Sequence, residues 1–229
     1  MRLPLTVTGR FLERQNRFRI LVAVDGRPVA AHLPNSGRLT ELLTPGRQCH
    51  LVPHPAPHRR TPFDLLLVEY AGVLVSVDAR LPAPLFAEAV QEGQLPEFSG
   101  IARLEREVRC GESRLDFHLD GPDGPLWVET KSVTLVEDGV ALFPDAPTLR
   151  GQRHLQELIA RVAAGERAAV VFVVQRPDAV AFAPHRQADP VFAALLAEAA
   201  RAGVGVYAYC CDVRPDEIRI VPPSIGVTL

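Results

Sequence analysis

The strongest constraint on the fold is the segment 113–133, in which two alternating strands flank a loop rich in glycine, proline and aspartate. This pattern predicts a β-hairpin. Because strand side chains alternate between faces, Asp116 lies on one face of the first strand, and Glu129 and Lys131 share one face of the second. The hairpin therefore constrains three charged side chains as well as the backbone.

The register of this hairpin decides whether the charged side chains meet. A symmetrical closure that takes 121–124 as the loop pairs Asp120 with Pro125. Counting outward from that pair places Asp116 opposite Glu129, with Cβ atoms about 5 Å apart. A bulge would shift the pairing, so the convergence of the two carboxylates is a hypothesis about register.

Two adjacent carboxylates repel each other and need a cation or a shared proton between them. Hard oxygen ligands suit Mg²⁺ or Mn²⁺, with phosphate oxygens and water in the remaining positions. In this interpretation Asp116 and Glu129 are metal ligands, and Lys131 acts on the water or on the attacked phosphate. The predicted chemistry is metal-assisted phosphodiester hydrolysis. The alternative is a solvated hairpin face that carries a surface ion pair.

Lysine usage favours the functional interpretation. The chain has 25 lysines and arginines, and Lys131 is the only lysine among them. A chain that meets nearly every need for positive charge with arginine keeps an amine where a compact head, or a pKa that burial can lower, is required. Chance retention is the competing explanation for this single lysine.

Asp116 followed by Glu129-x-Lys131 resembles the D…E-x-K signature of the PD-(D/E)XK nuclease superfamily. Longer segments across nearly the whole chain resemble the sugar fermentation stimulation protein family. These segments are 32–37, 42–46, 127–138, 143–148, 151–155 and 173–176. The chain departs from the usual family pattern at Thr130, where valine is common, and at Leu149, where glutamate is usual. The second departure removes a carboxylate beside the predicted site.

The resemblance implies an N-terminal OB-fold, a C-terminal nuclease-like domain, non-specific DNA binding and a link to the regulation of sugar metabolism. The residue pattern agrees with this division. Residues 1–80 predict a small β domain, and residues 81–229 predict helices around a mixed sheet. The predicted strands of the first domain are 18–24, 28–33, 47–52, 64–70 and 73–77, with a helical turn at 39–43 and a linker at 81–84. The fold class is therefore α+β, with an OB-like barrel and a restriction-endonuclease-like domain.

The second domain contains three predicted helices and a buried strand. An apolar stripe predicts a helix over 85–90, Thr148 caps a second helix and Asp189 caps a third. The segment 168–174 is too apolar for a half-exposed strand, so it is expected at the centre of the sheet.

Two further residues support the predicted catalytic site. Gln152 lies three residues before Leu155, on the inward face of the helix that Thr148 caps. A buried amide there needs a partner, which water or phosphate at the metal site would supply. Glu107 precedes the hairpin and offers a third carboxylate to the metal, although a solvated strand residue is an equal alternative.

Charge is divided between the two halves of the chain. Up to Arg80 there are 11 arginines and 6 acidic residues, a net of about +5, whereas the remaining 14 basic and 21 acidic residues give about −7. The first half is therefore expected to attract the phosphates of nucleic acid, with DNA as the expected partner. The candidate contacts are Arg14, Arg17, Arg19, Arg38, Arg47, Arg59 and Arg60. For any one arginine, an ordinary solvated charge is the alternative.

Other signals limit the location and the class of protein. No run approaches the roughly 18 apolar residues of a membrane span, and no signal peptide is evident. The 4 cysteines lack metal-binding spacing, so a reduced cytoplasmic chain without zinc is expected. No nucleophile elbow, P-loop or dinucleotide fingerprint is present.

The sequence leaves three functions open. The first is a metal-dependent nuclease, the second is a DNA-binding regulator with an idle nuclease-like fold, and the third is a sugar-phosphate or nucleotide binder. The retention of both carboxylates and the lysine favours the first.

Overall fold

The computed structural model describes residues 1–54, 60–111 and 113–229, and its first half is a closed β-barrel. The strands are β1 (Val7–Asn16), β2 (Arg19–Val24), β3 (Arg27–His32), β4 (Gln48–Pro53), β5 (Phe63–Tyr70) and β6 (Val73–Ser76). They pair in the order β3-β2-β1-β4-β5-β6, and a parallel contact between β3 and β5 closes the ring. This arrangement confirms the predicted OB-like barrel.

The barrel differs from expectation at two places, in strand β1 and at Phe18. Strand β1 was not expected, because it buries only Gly9 and Phe11 and so lacks a visible apolar alternation. The predicted helical turn at 39–43 is present, since the N–H groups of Leu42 and Leu43 both donate to the Leu39 carbonyl. Phe18, which its place in the predicted strand assigned to the core, is 46% exposed in the turn between β1 and β2.

The second half contains a mixed sheet in the order β15-β14-β12-β9-β8-β7. These strands are β7 (Arg103–Cys110), β8 (Ser113–Gly121), β9 (Gly124–Val133), β12 (Arg167–Val174), β14 (Gly205–Val213) and β15 (Ile218–Val221). Strand β12 pairs in parallel with both β9 and β14, whereas the other pairs are antiparallel. The segment 168–174 is therefore central, as predicted.

Helices cover both faces of this sheet. Helix α1 (Pro82–Gln91) packs with Ala169, Val171 and Val173 on one face. Helices α2 (Leu149–Ala163) and α3 (Pro190–Ala202) pack with the alternate residues of β12 on the other. Most of the segment predicted as a linker, 81–84, belongs to α1, because proline is compatible with the first helical position. None of the helices that the structure describes is long and apolar enough to cross a membrane.

A smaller sheet supports the loop that leads into α2. Its strands are β10 (Leu135–Glu137), β11 (Val140–Phe143), β13 (Ala181–Pro184) and β16 (Gly226–Val227), in the order β10-β11-β13-β16. The Thr148 hydroxyl accepts a hydrogen bond from the Gly151 N–H, and the Asp189 carboxylate accepts one from the Phe192 N–H. Both predicted helix caps are thus present, and the segment 143–148 is fixed at both ends.

The barrel and the mixed sheet are joined by polar contacts. The Ser76 N–H and hydroxyl both donate to Gln175, to its backbone and side-chain oxygens respectively. The Tyr70 ring lies between two guanidinium groups, at 4.9 Å from Arg47 and 5.0 Å from Arg176. Arg176 is only 1% exposed, and two hydrogen bonds to Asp178 compensate its buried charge.

A second joint connects the barrel loop 35–39 to the segment 143–148. One oxygen of the Asp145 carboxylate accepts hydrogen bonds from the N–H groups of Arg38, at 2.6 Å, and Leu39, at 3.3 Å. Gly37 makes this approach possible, because a Cβ there would lie 2.5 Å from the same oxygen. We call the contact between Asp145 and residues 37–39 the barrel latch.

Gly37→Ala is expected to destabilise the protein by about 1–3 kcal/mol, since the added methyl group displaces the Asp145 carboxylate from both N–H groups. Urea unfolding of the two proteins measures this loss. Gly226→Ala is the matched control, because a Cβ at that position meets nothing within 4 Å. Equal stabilities for the two variants would contradict the importance of the latch.

Candidate active site

The β8–β9 hairpin has the predicted register. Asp120 pairs with Pro125 and Gly121 with Gly124, and the ladder continues to Phe117 and Val128. Beyond that pair the strands are linked by side chains, and the Asp116 N–H donates to the Glu129 carboxylate at 3.3 Å. Asp116 and Glu129 therefore meet as the alternation and the turn chemistry predict.

Asp116 is fixed by the residue that follows Glu129. Its Oδ2 accepts hydrogen bonds from the Thr130 N–H, at 2.8 Å, and from the Thr130 hydroxyl. Both bonds engage the same oxygen. Within the part of the chain that the structure describes, no hydrogen bond reaches the other carboxylate oxygen, Oδ1, so it is available to a ligand.

Glu129 is held by two basic side chains on its other side. Its Oε1 accepts a hydrogen bond from Lys131 Nζ at 2.5 Å and contacts His154 Nδ1. Lys131 Nζ also lies 3.2 Å from His154 Nδ1. Arg150 Nε lies 3.4 Å from His154 Nε2, so the ring is held between Arg150 on one side and Glu129 on the other.

The two carboxylates have opposite pKa shifts. Burial raises the pKa of Asp116, and the neighbouring Glu129 charge raises it further. Burial also acts to raise the pKa of Glu129, but Lys131 and His154 outweigh it and lower that pKa to about 2. Glu129 is thus a fixed anion, whereas ionisation of Asp116 is costly without an added positive charge.

These residues line a cavity of about 370 Å³ between the barrel and the mixed sheet. Asp116, Glu129 and Lys131 form one wall, and the barrel loop 35–37 and the segment 143–148 form others. Three arginine side chains, Arg17, Arg80 and Arg150, also line it. The cavity therefore combines paired carboxylates with several cations, a composition that suits a phosphate ester and a divalent cation.

The structure does not bring two of the predicted site residues to this cluster. The Gln152 amide donates to both oxygens of Asp189, at 3.0 Å each, and so connects α2 to α3. Gln152 and His154 are about 200° apart around the helix, so the helix that turns His154 toward Glu129 turns Gln152 toward α3. The Glu107 side chain is 73% exposed and pairs with Arg114.

Several residues of the cavity were not predicted from the sequence. His154, Arg150 and Thr130 contact the charged cluster directly, and Asp145 with the loop 35–37 shapes the cavity. Signals for them were present, because the family-like segments 32–37, 143–148 and 151–155 contain most of these positions.

The predicted nucleic-acid contacts divide into three groups. Arg14 and Arg47 are committed to backbone carbonyls of the barrel, and Arg19 bonds the Gln15 side chain. Arg17 lines the cavity, and Arg38 and Arg60 are exposed. Arg59 lies outside the described residues. Among the six of these arginines that the structure describes, Arg17 is the one that lines the cavity of the charged cluster.

The donor set fits a hard divalent cation. The Thr130 bonds engage Asp116 Oδ2 and not Oδ1, and the Lys131 and His154 contacts engage Glu129 Oε1, whereas Oε2 accepts the Asp116 N–H at 3.3 Å. Magnesium sites often use one or two carboxylates completed by substrate phosphates. Within residues 1–54, 60–111 and 113–229, no group of three or more His, Cys, Asp or Glu side chains is arranged to hold a metal. A zinc site, which needs nitrogen or sulfur ligands, does not fit.

Comparisons with known proteins cover both halves of the chain. A family model described as the sugar fermentation stimulation protein RE domain matches residues 80–217, and one described as the SfsA N-terminal OB domain matches residues 12–77. The sugar fermentation stimulation protein homolog of Moorella thermoacetica is 48% identical over 220 residues, which cover 95% of this chain and 94% of that protein. The homolog of Desulforamulus reducens is 44% identical over 218 residues, with 95% and 91% covered.

A solved structure is similar along the whole chain. It is the structure of Pyrococcus furiosus SfsA in complex with Ca²⁺, which is 36% identical in sequence. The match has a TM-score of 0.92 and covers 100% of this chain and 98% of that one.

Proposed function

Because this chain belongs to the sugar fermentation stimulation protein family, we propose that its RE domain hydrolyses phosphodiester bonds of nucleic acid with a divalent cation. The single observation that carries the proposal is the cluster of Asp116, Glu129 and Lys131 in one cavity. The pKa values of the two carboxylates are shifted in opposite directions, as in sites that place a charge between two acids.

A divalent cation is the group that this cluster lacks for the proposed chemistry. Asp116 would hold Mg²⁺ or Mn²⁺ through Oδ1, and Glu129 through Oε2, the oxygen that accepts only the long hydrogen bond from the Asp116 N–H. The Ca²⁺ in the Pyrococcus furiosus relative supports a hard cation, since calcium and magnesium both take oxygen ligands. When bound, such a cation supplies a Lewis acid and lowers the pKa of a bound water.

The residues around the carboxylates orient Glu129, the attacking water and the phosphate. His154 and Lys131 hold Glu129 ionised and fix its orientation. The Lys131 ammonium, whose side chain is 10% exposed, presents its remaining protons to the cavity and can orient the attacking water or a phosphate oxygen. Arg17 and Arg150 balance the charge of the bound strand, whereas Arg80 is already paired with Asp78 and Asp64.

Nucleic acid is the proposed partner because the cationic residues extend onto the barrel. The first 80 residues carry 11 arginines against 6 acidic residues, and Arg17 connects this surface to the cavity. Contacts of this type bind the phosphate backbone with little sequence preference. DNA is the substrate to test first.

The decisive experiment is a cleavage screen on single- and double-stranded DNA and RNA, with Mg²⁺ or Mn²⁺ and with EDTA as the control. Cleavage that depends on the metal and is lost in Glu129→Gln supports the proposal. Binding without cleavage under every condition would contradict it and favour a regulator, a role that the association of the family with sugar fermentation accommodates.

Arg17→Ala is expected to make the salt dependence of nucleic-acid binding shallower. The loss of one phosphate contact reduces the log–log slope by about 0.7 to 0.9. Fluorescence anisotropy over a range of KCl concentrations measures the slope. Arg201→Ala, which removes the same charge from the last turn of α3, should leave the slope unchanged. Equal slopes for the two variants would exclude Arg17 from the binding surface.

A further inference from the structure

The turn between β1 and β2 exposes an aromatic ring beside the cavity. Phe18 is 46% exposed, whereas Phe11 on the same barrel is 2% exposed. The Arg17 guanidinium lies 5.4 Å from the centre of the Phe18 ring, and the His32 ring is tilted against it at 6.3 Å. An exposed phenylalanine that is backed by a cation and a second ring is a suitable surface for a nucleobase.

This turn is held rigidly by the residue that the sequence suggested as a phosphate contact. The Arg14 guanidinium donates to the backbone carbonyls of Asn16, Arg17 and Arg38, at 3.3, 2.7 and 2.6 Å. The Asn16 side chain accepts a further bond from the Phe18 N–H at 3.0 Å. The backbone that presents Phe18 is therefore preorganised, which reduces the entropic cost of binding a ligand there.

The same bonds connect the turn to the catalytic half of the chain. Arg38, which accepts from Arg14, donates its N–H to Asp145 in the barrel latch. Arg17 contacts the Phe18 ring and also lines the cavity that contains Asp116 and Lys131. Arg17 therefore lies next to the Phe18 ring and lines the same cavity as the carboxylates of the sheet.

These groups match the parts of a short nucleotide segment, which has phosphates and a base. The carboxylates and Lys131 suit the scissile phosphate, Arg17 suits a neighbouring phosphate, and Phe18 suits the base between or beside them. In a duplex both faces of an internal base are covered by its neighbours. An aromatic side chain can therefore stack only on a base that is unpaired or at a strand end.

We propose that Phe18 stacks on an unpaired base next to the phosphate bound at Asp116, Glu129 and Lys131, so that the site takes single-stranded nucleic acid. This inference rests on the proposed function for the phosphate site. It adds the class of substrate and a binding residue on the barrel.

Binding of a short fluorescein-labelled thymidine oligonucleotide, measured by anisotropy in EDTA so that no metal-dependent cleavage consumes the probe, tests the inference. Phe18→Ala should weaken binding about 5- to 150-fold, the range for loss of one base–aromatic stack. Phe18→Tyr retains an aromatic face and should bind as the wild type does. Leu12→Ala removes another exposed apolar side chain from the barrel and should have no effect.

A chain of abasic residues with the same phosphates separates stacking from charge. The wild type should prefer the thymidine chain over the abasic chain, and Phe18→Ala should lose that preference. A uridine oligonucleotide repeats the comparison for RNA, since stacking alone does not distinguish the two sugars. Equal binding of the thymidine chain by the wild type and Phe18→Ala would overturn the inference. Tighter binding of duplex DNA that Phe18→Ala leaves unchanged would also overturn it.

Cleavage measured separately with Mn²⁺ keeps this inference distinct from the proposed function. If the wild type cleaves and Phe18→Ala binds and cleaves equally well, the result contradicts the stacking role and supports the nuclease assignment. If no substrate is cleaved but Phe18→Ala loses binding to the thymidine chain, the single-strand site stands and the nuclease assignment falls.

Discussion

Lys131→Arg is expected to lower the rate of metal-dependent cleavage on the order of 10²-fold while nucleic-acid affinity stays within about threefold of wild type. The charge is unchanged, so bulk attraction to phosphate persists. The guanidinium is planar and larger than an ammonium, and it has to replace a group that lies 2.5 Å from Glu129 Oε1 and 3.2 Å from His154 Nδ1. It cannot occupy the ammonium position, and the group that orients water or phosphate is displaced.

Cleavage and binding measured on one preparation test this expectation. Arg153→Lys is the matched control, because it makes the reverse exchange at an exposed position on the helix that carries His154. Its rate should equal that of the wild type. A Lys131→Arg protein that is as active as the wild type would remove the lysine from the mechanism.

Asp116→Asn is expected to abolish stabilisation by Mn²⁺ and to stabilise the metal-free protein at neutral pH. A cation present at 100 times its Kd stabilises the wild type by about 2.7 kcal/mol, or about 5–11 °C in Tm for a chain of this length. The substitution removes one of the two carboxylate ligands. It also removes the cost of ionising a buried acid beside Glu129. The amide oxygen can still accept the Thr130 bonds.

The sign of the pH dependence follows from the raised pKa of Asp116. The protonated acid is favoured in the folded state, so its contribution to stability is present at low pH and is lost as pH rises through the folded pKa. The stability advantage of Asp116→Asn in EDTA should therefore appear as pH rises. Metal stabilisation of the wild type should fade as pH falls, because protons compete with the cation.

Melting curves in EDTA and in Mn²⁺, recorded at several pH values on both sides of neutrality, test the loss of the Mn²⁺ response and the gain in metal-free stability. Asp120→Asn is the control for loss of a carboxylate on the same face of β8. It should keep the full response to Mn²⁺. Equal Mn²⁺ shifts in Asp116→Asn and the wild type would remove Asp116 from the metal site.

The charged hairpin could be predicted from the sequence because its determinants are local. Turn residues fix the loop, and the period of two fixes the faces, so the proximity of Asp116 to Glu129 follows from counting. His154 could not be found in this way, since it lies 25 positions along the chain from Glu129 and reaches it through helix packing. At the start of α2, the periodicity predicted Gln152 at the site, whereas the structure places His154 against Glu129 and Gln152 against Asp189.

Two other predictions differ from the structure because the backbone of the β1–β2 turn, which a side-chain pattern does not predict, sets the positions of the residues. Arg14 was a reasonable phosphate contact by charge, but its partners are carbonyl oxygens of the folded turn. Phe18 alternates with apolar neighbours and so resembled a core residue, yet the chain turns at its position. The folded turn thus determines the roles of these two residues. The sequence offered only the alternation of side chains and the turn signals, and neither predicts this turn.

The barrel latch has a consequence for how the two halves can diverge. The cavity has one wall from each half, and Asp145 in one half accepts hydrogen bonds from residues 38 and 39 in the other. Neither half can therefore be transplanted alone onto a foreign partner with its cavity preserved. A larger residue at position 37 needs a shorter or displaced side chain at position 145, so we expect these two positions to change together.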